Sequence, residues 1–507
     1  MIRLNIVANV ISRGWTIISA YLFVPLYLRF LGIEAYGLVG FYSTLVAVLA
    51  FADLGFTATL NREMARLAVR KDGTREMGDL LRTYEALYLG ISGIVAAALW
   101  ASSPFIAQHW LQFKTLTLSE VTFALRLMGL AIAFHLPAGL YTGGLMGLQR
   151  QVLASGLQIM WSMSRAVGGV LVLWLCSPTI IAFSTWQVVS NLLCCLIIRA
   201  YLWRVIRQTG GETEWRFSWP MLHKTWRYAI GMTGMAMIAA LLTQADKAAV
   251  SKMLTLDLFG YYTIASALAY APIALAAPVA VAIFPRMAGL AAVENRVELS
   301  RVYHRACALV VAGAGSGGLT IAAYAPEFIR AWTGSSATAQ RAGLAASLLV
   351  IGQLIQVVMI LPSYLPLVYG KVRMNLKLGI ASFVLVLPLL ILLIGKYGIT
   401  GAATAWLIMN MSVVLPYTYV VHRRFLRGEF AKWALNDVGL PSLGAVVGLA
   451  LCRWLIPVPS SRLLTLGLIG LVWAISATAA ACISPELRAF WKPDWIVNRK
   501  RYSCPAS

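Results

Sequence analysis

Apolar residues run along this chain in long, nearly unbroken stretches, not in the alternation of a half-buried strand or the narrow stripe of a soluble amphipathic helix. Fourteen stretches stand out, at roughly 14–31, 36–56, 83–103, 121–148, 152–175, 180–202, 228–251, 257–284, 303–323, 342–366, 374–395, 400–421, 438–455 and 463–483. About 20 helical residues at 1.5 Å each cross the roughly 30 Å of bilayer hydrocarbon. The pattern therefore predicts an all-α polytopic membrane protein of about 14 transmembrane helices. The connections are short and leave no room for a soluble domain. The first stretch lacks a small-residue cleavage site and ends in Leu28-Arg29-Phe30-Leu31-Gly32, so it is expected to persist as a span.

A short repeat divides the chain. Leu31-Gly32-Ile33-Glu34-Ala35-Tyr36-Gly37 joins the first two spans, and Leu254-Thr255-Leu256-Asp257-Leu258-Phe259-Gly260 joins the seventh and eighth. Six spans separate the copies, an even number, so the repeat is parallel. Two pseudo-symmetric six-helix lobes around a central cavity are expected, 1–227 and 228–437, with two appended spans and a tail in 438–507. Transporters commonly place their site at such a repeat interface.

Polar residues within the spans fall on single helical faces. The first span carries Asn5, Asn9, Ser12, Thr16 and Ser19. The fifth carries Ser155, Gln158, Ser162 and Arg165, the sixth Ser184, Gln187 and Asn191, the seventh Thr243, Gln244, Lys247 and Ser251, and the tenth Gln353 and Gln356. Interhelical hydrogen bonding accounts for any one stripe. Several stripes in both halves, one with an arginine, point to a shared aqueous cavity.

Composition agrees with the pattern. Hydrophobic residues make up 60% and charged residues 12%, against about 45–50% and about 25% in soluble domains. The net charge of +23 would suggest nucleic acid in a soluble protein. Here no aromatic-basic module accompanies it, so no nucleic-acid partner is expected, and the distribution of Lys and Arg explains it. With the N-terminus in the cytoplasm, the tails and even-numbered connections hold 28 of the 42 basic residues and the odd-numbered ones hold 6. The positive-inside rule then places both termini in the cytoplasm. The seven cysteines form no C-x-x-C and no disulfide framework. No phosphate-binding loop, D-x-D or H-E-x-x-H occurs, so neither an enzyme nor a cofactor or metal is expected.

Eight basic residues lie within the spans. Arg29, Arg199, Arg305, Lys377 and Arg453 are near ends, within snorkelling reach of headgroups. Arg165 is about 20 Å along its span, Arg126 is shallower, and Lys247 is about one turn from an end. Intramembrane acids are few: Asp53, Asp246 and, at an edge, Glu85. Excess positive charge in a cavity suits an anionic solute, and a guanidinium grips phosphate oxygens in a bidentate way. The competing reading pairs Arg165 structurally with Asp53 or Asp246. The candidate substrate contacts are thus Arg165, Arg126, Lys247, Ser162, Gln158 and Gln244, and the candidate ion-coupling acids are Asp246 and Asp53.

Several local motifs carry a resemblance. Pro25 through Gly32 (PLYLRFLG), Glu34-Ala35-Tyr36-Gly37, Asp53-Leu54-Gly55-Phe56 and Asn61-Arg62-Glu63 resemble the opening of the polysaccharide transporter family. Gln244-Ala245-Asp246-Lys247, Phe259-Gly260-Tyr261-Tyr262, Ile283-Phe284-Pro285-Arg286 and Ala325-Pro326-Glu327 with Trp332 are similar to its second half. These are lipid-linked oligosaccharide flippases of the superfamily that also holds multidrug and toxin extruders. The resemblance implies a two-lobed V-shaped bundle that flips undecaprenyl-diphosphate-linked repeat units across the bacterial inner membrane. It implies membrane lipids, a polysaccharide polymerase and glycosyltransferases as partners. The family transfers no strict signature onto particular residues here. A cation-coupled multidrug exporter and a peptidoglycan-precursor flippase share these physics. A membrane glycosyltransferase or polymerase fits poorly, for want of an extramembrane domain.

Overall fold

A computed structural model describes residues 14, 15, 18, 19, 21–70, 73–208 and 216–491. The polar positions Asn5, Asn9, Ser12 and Thr16 lie outside them. Among the described residues the chain is almost wholly helical, and no strand forms beyond an isolated bridge between Gln112 and Thr255. A chain in hydrocarbon must satisfy its backbone groups internally, and helices do this.

The first half holds α1 (Val24–Leu49), α2 (Phe56–Leu67), α3 (Gly73–Phe105), α4 (Leu118–Gly147), α5 (Gln151–Leu175), α6 (Ile180–Gln208) and α7 (Trp219–Met253). Then follow α8 (Leu256–Ala292), α9 (Arg296–Val310), α10 (Ser316–Ala323), α11 (Ala325–Thr333) and α12 (Ser336–Val368). The last are α13 (Val372–Met409), α14 (Leu415–Phe425), α15 (Phe430–Lys432), α16 (Leu440–Leu455), α17 (Arg462–Ile483) and α18 (Pro485–Trp491).

Eleven helices among the described residues are long and apolar enough to cross a membrane. They differ from the fourteen apolar stretches partly because two boundaries are kinks. The end of the first stretch and the second run through α1 across Gly32 (φ +76), and the eleventh and twelfth continue across Gly398 (φ +59). Positive φ costs glycine little, so the path bends there without a loop.

The chain divides into two compact units, Met1–Gly260 and Tyr261–Ser507. In the first, α4 packs on α2, α3 and α6. Gly143 and Gly147 bring α4 against the backbone of Thr57 and Asn61 in α2, where a Cβ would not fit. Gly139, which shares their four-residue spacing, faces open space. Helix α2 falls in 57–82, which reads as a connection by hydropathy. It buries Phe56, Leu60, Met64 and Leu67 on one face, while Arg62 and Arg66 flank Glu63 at 2.7 and 3.4 Å. A short amphipathic helix has no long apolar run, so a span search passes over it.

The repeat has a structural counterpart within this unit. Gly37 lies against the carbonyl of Leu256, and Gly260 lies against the carbonyl of Ile33. The seventh residue of each copy thus meets the third residue of the other. The acids at the fourth position also correspond. Glu34 accepts from the backbone N–H of Lys114 and Thr115 and from the Thr115 hydroxyl, while Asp257 pairs with Lys114 Nζ at 3.9 Å. The Leu256 N–H donates to Gln112 O at 2.6 Å. The same segment, 112–115, therefore clasps both copies. It leads into α4 through a capping box of Thr117 and Glu120.

In the second unit, Met287 of α8, Leu299 and Tyr303 of α9, Val357 and Leu361 of α12 and Val421 of α14 share one buried core. Helix α16 packs on α17. Three π-helical turns interrupt this unit, at Val311–Gly315, Asn410–Val414 and Trp433–Gly439. Such turns mark local departures from the α ladder and often accompany functional sites.

Candidate functional site

The polar stripe of α5 opens onto a cavity of about 490 Å3 in the first unit. Gln158, Ser162 and Arg165 line it at spacings of four and three, which keep them on one face. Ser155 continues the stripe in sequence but is buried and lies outside the lining. Gln187 from α6, Ser43 from α1 and Ser19 extend the polar wall. Ser19 Oγ and Ser162 Oγ approach within 3.4 Å.

Arg165 is half-buried, and its Nε donates to Gln187 Oε1 at 3.1 Å. Among the described residues no carboxylate pairs with it, and none accepts from its terminal Nη groups. Neither acid proposed as its structural partner serves that role. Asp53 accepts from the hydroxyls of Thr57 and Tyr88. Asp246 lies 3.6 Å from Lys247 Nζ. The guanidinium is thus oriented through one nitrogen and leaves the face that binds oxyanions available.

Aromatic residues form most of the remaining wall: Phe23, Tyr27, Tyr42, Trp161 and Phe183. A web of contacts fixes them. Tyr27 donates to Ala166 O at 3.2 Å and meets Phe183 edge-on at 5.2 Å. Trp161 Nε1 donates to Asn191 Oδ1 at 2.9 Å, and Asn191 Nδ2 donates to Ala131 O at 3.0 Å and Tyr42 Oη at 3.3 Å. Asn191, fully buried, is therefore a positioning residue behind the wall. The His135 ring lies tilted at 42° to Trp161, with centroids 4.9 Å apart. These aromatics lay outside the sequence-derived candidates because an aromatic in an apolar span interrupts no pattern.

The other candidates lie elsewhere. Arg126 sits over the Trp100 ring at 5.1 Å, donates to Ser103 Oγ at 3.2 Å and lines a separate open hollow with Glu120. Lys247 donates to Thr243 O at 3.2 Å, and Gln244 contacts the Thr243 hydroxyl at 3.5 Å. The structure therefore brings together Arg165, Ser162 and Gln158, and keeps Arg126, Lys247, Gln244, Asp246 and Asp53 out of that cavity's lining. Glu85, read as an edge acid, is buried in a network of its own. It accepts from Arg199 Nε at 2.7 Å, Trp203 Nε1 at 2.8 Å and Tyr141 Oη at 3.1 Å. Arg199, read as a headgroup cation, is one of its partners.

The arrangement can hold an anion at the guanidinium and polar or sugar-like groups against hydroxyl, carboxamide and aromatic faces. None of the described residues lining the cavity is acidic.

The fold has solved relatives. The lipid II flippase MurJ in an inward closed conformation is 14% identical, with a TM-score of 0.68 over 94% of this chain and 98% of that one. An inward-facing multidrug resistance MATE family transporter of the MOP superfamily is 12% identical, with a TM-score of 0.60 over 82% of this chain and 98% of that one. The MATE multidrug transporter DinF-BH is 13% identical, with a TM-score of 0.59 over 84% of this chain and 96% of that one. At such identities the likeness establishes the fold alone. No curated protein matches the sequence. The sequence model of the family described as polysaccharide biosynthesis protein matches residues 2–291, more than half of the chain. This multi-pass helical membrane protein, with the fold of the flippases and exporters of the MOP superfamily, belongs to the polysaccharide biosynthesis protein family.

Proposed function

We propose that this protein is a flippase that carries polyprenyl-diphosphate-linked oligosaccharide repeat units across the bacterial inner membrane for O-antigen, capsule or exopolysaccharide synthesis. The observation that carries the reading is Arg165, a guanidinium without a carboxylate partner among the described residues, held by Gln187 in a polar and aromatic cavity of a membrane-spanning bundle. A diphosphate entering hydrocarbon unpaired costs several kcal/mol or more. A cation in a hydrated cavity offsets that cost while the polyprenyl tail remains in lipid. Residues 1–227 and 228–437 serve as the two lobes that rock around the substrate, with 438–507 appended. Lipid is the tail's partner, and the polymerase and glycosyltransferases of the pathway are the functional neighbours. A cationic-drug exporter would place carboxylates where this cavity has none. Of the two coupling candidates, Asp246 stands ahead of Asp53, whose carboxylate already accepts from two hydroxyls.

Loss of the gene in its native host tests the reading. Radiolabelled lipid-linked repeat units should accumulate on the cytoplasmic leaflet while surface polysaccharide disappears. Normal surface polysaccharide, or accumulation of peptidoglycan precursors instead, contradicts it.

Orientation is tested separately. Cysteines introduced in 57–82, 203–227 and 422–437 should react only after the cytoplasmic face is exposed, and those in 104–120 and 324–341 should react from outside. Labelling of 57–82 from outside would invert the assignment.

A further inference from the structure

Two of the five histidines lie side by side in the second unit with opposite hydrogen-bonding demands. His422 donates from Nδ1 to Thr418 O at 2.7 Å and accepts at Nε2 from the Tyr303 hydroxyl at 2.9 Å. A neutral imidazole satisfies both. His304, fully buried on α9, instead has two acceptors: Asp437 Oδ2 lies 2.5 Å from Nδ1 and Glu429 Oε2 lies 3.0 Å from Nε2. A neutral imidazole has a single N–H. Two carboxylates on its two nitrogens therefore call for one additional proton, on the ring or on a carboxyl.

The three groups form a line from rim to interior. The Glu429 side chain is 32% exposed, whereas those of His304 and Asp437 are 0% exposed. Asp437 belongs to the π-helical turn Trp433–Gly439, and its Oδ1 is buried without a hydrogen-bond partner. The two carboxylates sit on opposite edges of the ring, so they do not converge on one metal position. The charged and titratable groups around the cluster are Tyr303 and Cys307 on α9, His422 on α14, Lys432 on α15, and Glu486 and Arg488 on α18. Lys432 is engaged by Glu486 at 3.3 Å, and Arg488 donates to Ile483 O at 2.8 Å.

We propose that Glu429, His304 and Asp437 form a proton-binding site that fastens α9 to residues 429–439, and that pH at the Glu429 face controls this contact and with it the transport cycle. With the proton bound, both ring nitrogens are bridged to carboxylate oxygens. On release, the proton passes through Glu429 to water and one N–H···O bond is lost. A ring lone pair then faces a carboxylate, and the contact between α9 and 429–439 opens. A carboxamide at 429 replaces the proton, because its NH2 donates to Nε2 while Nδ1–H serves Asp437. Glu429→Gln should therefore hold the contact closed at every pH.

Only the link to transport rests on the flippase reading, and the test of the site needs neither substrate nor transport. Cys307 lies one turn from His304 and is buried; Cys452 is buried in the same unit, away from the cluster. Maleimide labelling of the full-length protein in nanodiscs, resolved by peptide mass spectrometry, reports opening as the ratio of Cys307 to Cys452. In the wild type this ratio should rise about tenfold between about pH 6 and about pH 9, because a buried acceptor left unpaired costs about as much as a lost hydrogen bond. In Glu429→Gln it should remain low and flat. A wild-type ratio that does not change with pH overturns the site, as does a Glu429→Gln ratio that tracks the wild type. Glu429 lies at the rim, and the wild-type arm decides by itself where the variant expresses poorly. A pH-dependent translocation rate that persists unchanged in Glu429→Gln breaks the link to transport while leaving the site standing.

Discussion

Arg165→Ala should lower translocation of a polyprenyl-diphosphate oligosaccharide at least about 30-fold while membrane abundance stays normal. Removing one partner of a buried charge contact costs about 2–5 kcal/mol, and each 1.4 kcal/mol is about tenfold. Abundance should hold because no carboxylate among the described residues depends on Arg165, which donates to the neutral Gln187. Arg165→Lys keeps the charge but loses the planar fork, so partial activity is expected. Gln187→Ala frees the guanidinium without removing it and should fall between them. Arg126→Ala should do less harm, since Arg126 sits over Trp100 in another hollow. Translocation and membrane abundance measured side by side check all four. A normally abundant and fully active Arg165→Ala protein would remove the site.

The largest effect on stability is expected at Glu85. This carboxylate, 4% exposed, is the shared acceptor for Arg199, Arg82, Tyr141 and Trp203. Glu85→Ala removes the acceptor shared by two guanidiniums and two ring-borne donors, at a cost of about 3–5 kcal/mol. The variant should be depleted from the membrane and should unfold at a markedly lower temperature in detergent. Glu85→Gln retains one acceptor oxygen and should be intermediate. Unfolding temperatures for wild type, Glu85→Gln and Glu85→Ala that coincide would show that the network contributes nothing. Two arginines within spans thus differ in their partners: Arg199 is paired with a buried carboxylate, and Arg165 is held by a neutral carboxamide.

Much of this was legible in the residues. Membrane helices announce themselves through long apolar runs, and the α5 stripe of Gln158, Ser162 and Arg165 was visible because polar groups facing lipid are costly. Its neighbour Gln187 was equally visible on α6. Depth along a span does not fix rotation about the helix axis, and Arg126 lines a different hollow from Arg165. The aromatic wall of Tyr27, Tyr42, Trp161 and Phe183 left no trace, because aromatics are as much at home in lipid as in a cavity. Boundaries failed where glycine bends a helix without ending it, at Gly32 and Gly398. The amphipathic α2 escaped because its buried face is only about three turns long. Asp437 and Glu429 drew no notice at the sequence level, since they lie in a charge-rich connection and its margin. Only the fold brings them to His304.

The most direct measurement is translocation by the purified protein in vesicles. A fluorescent polyprenyl-diphosphate oligosaccharide is placed in both leaflets, and a membrane-impermeant reductant quenches the outer one. With wild-type protein, quenching should run past the outer-leaflet half towards completion, and with Arg165→Ala it should stop near half. Complete quenching by both proteins, or by neither, would contradict the account of Arg165 as the cation that carries the diphosphate.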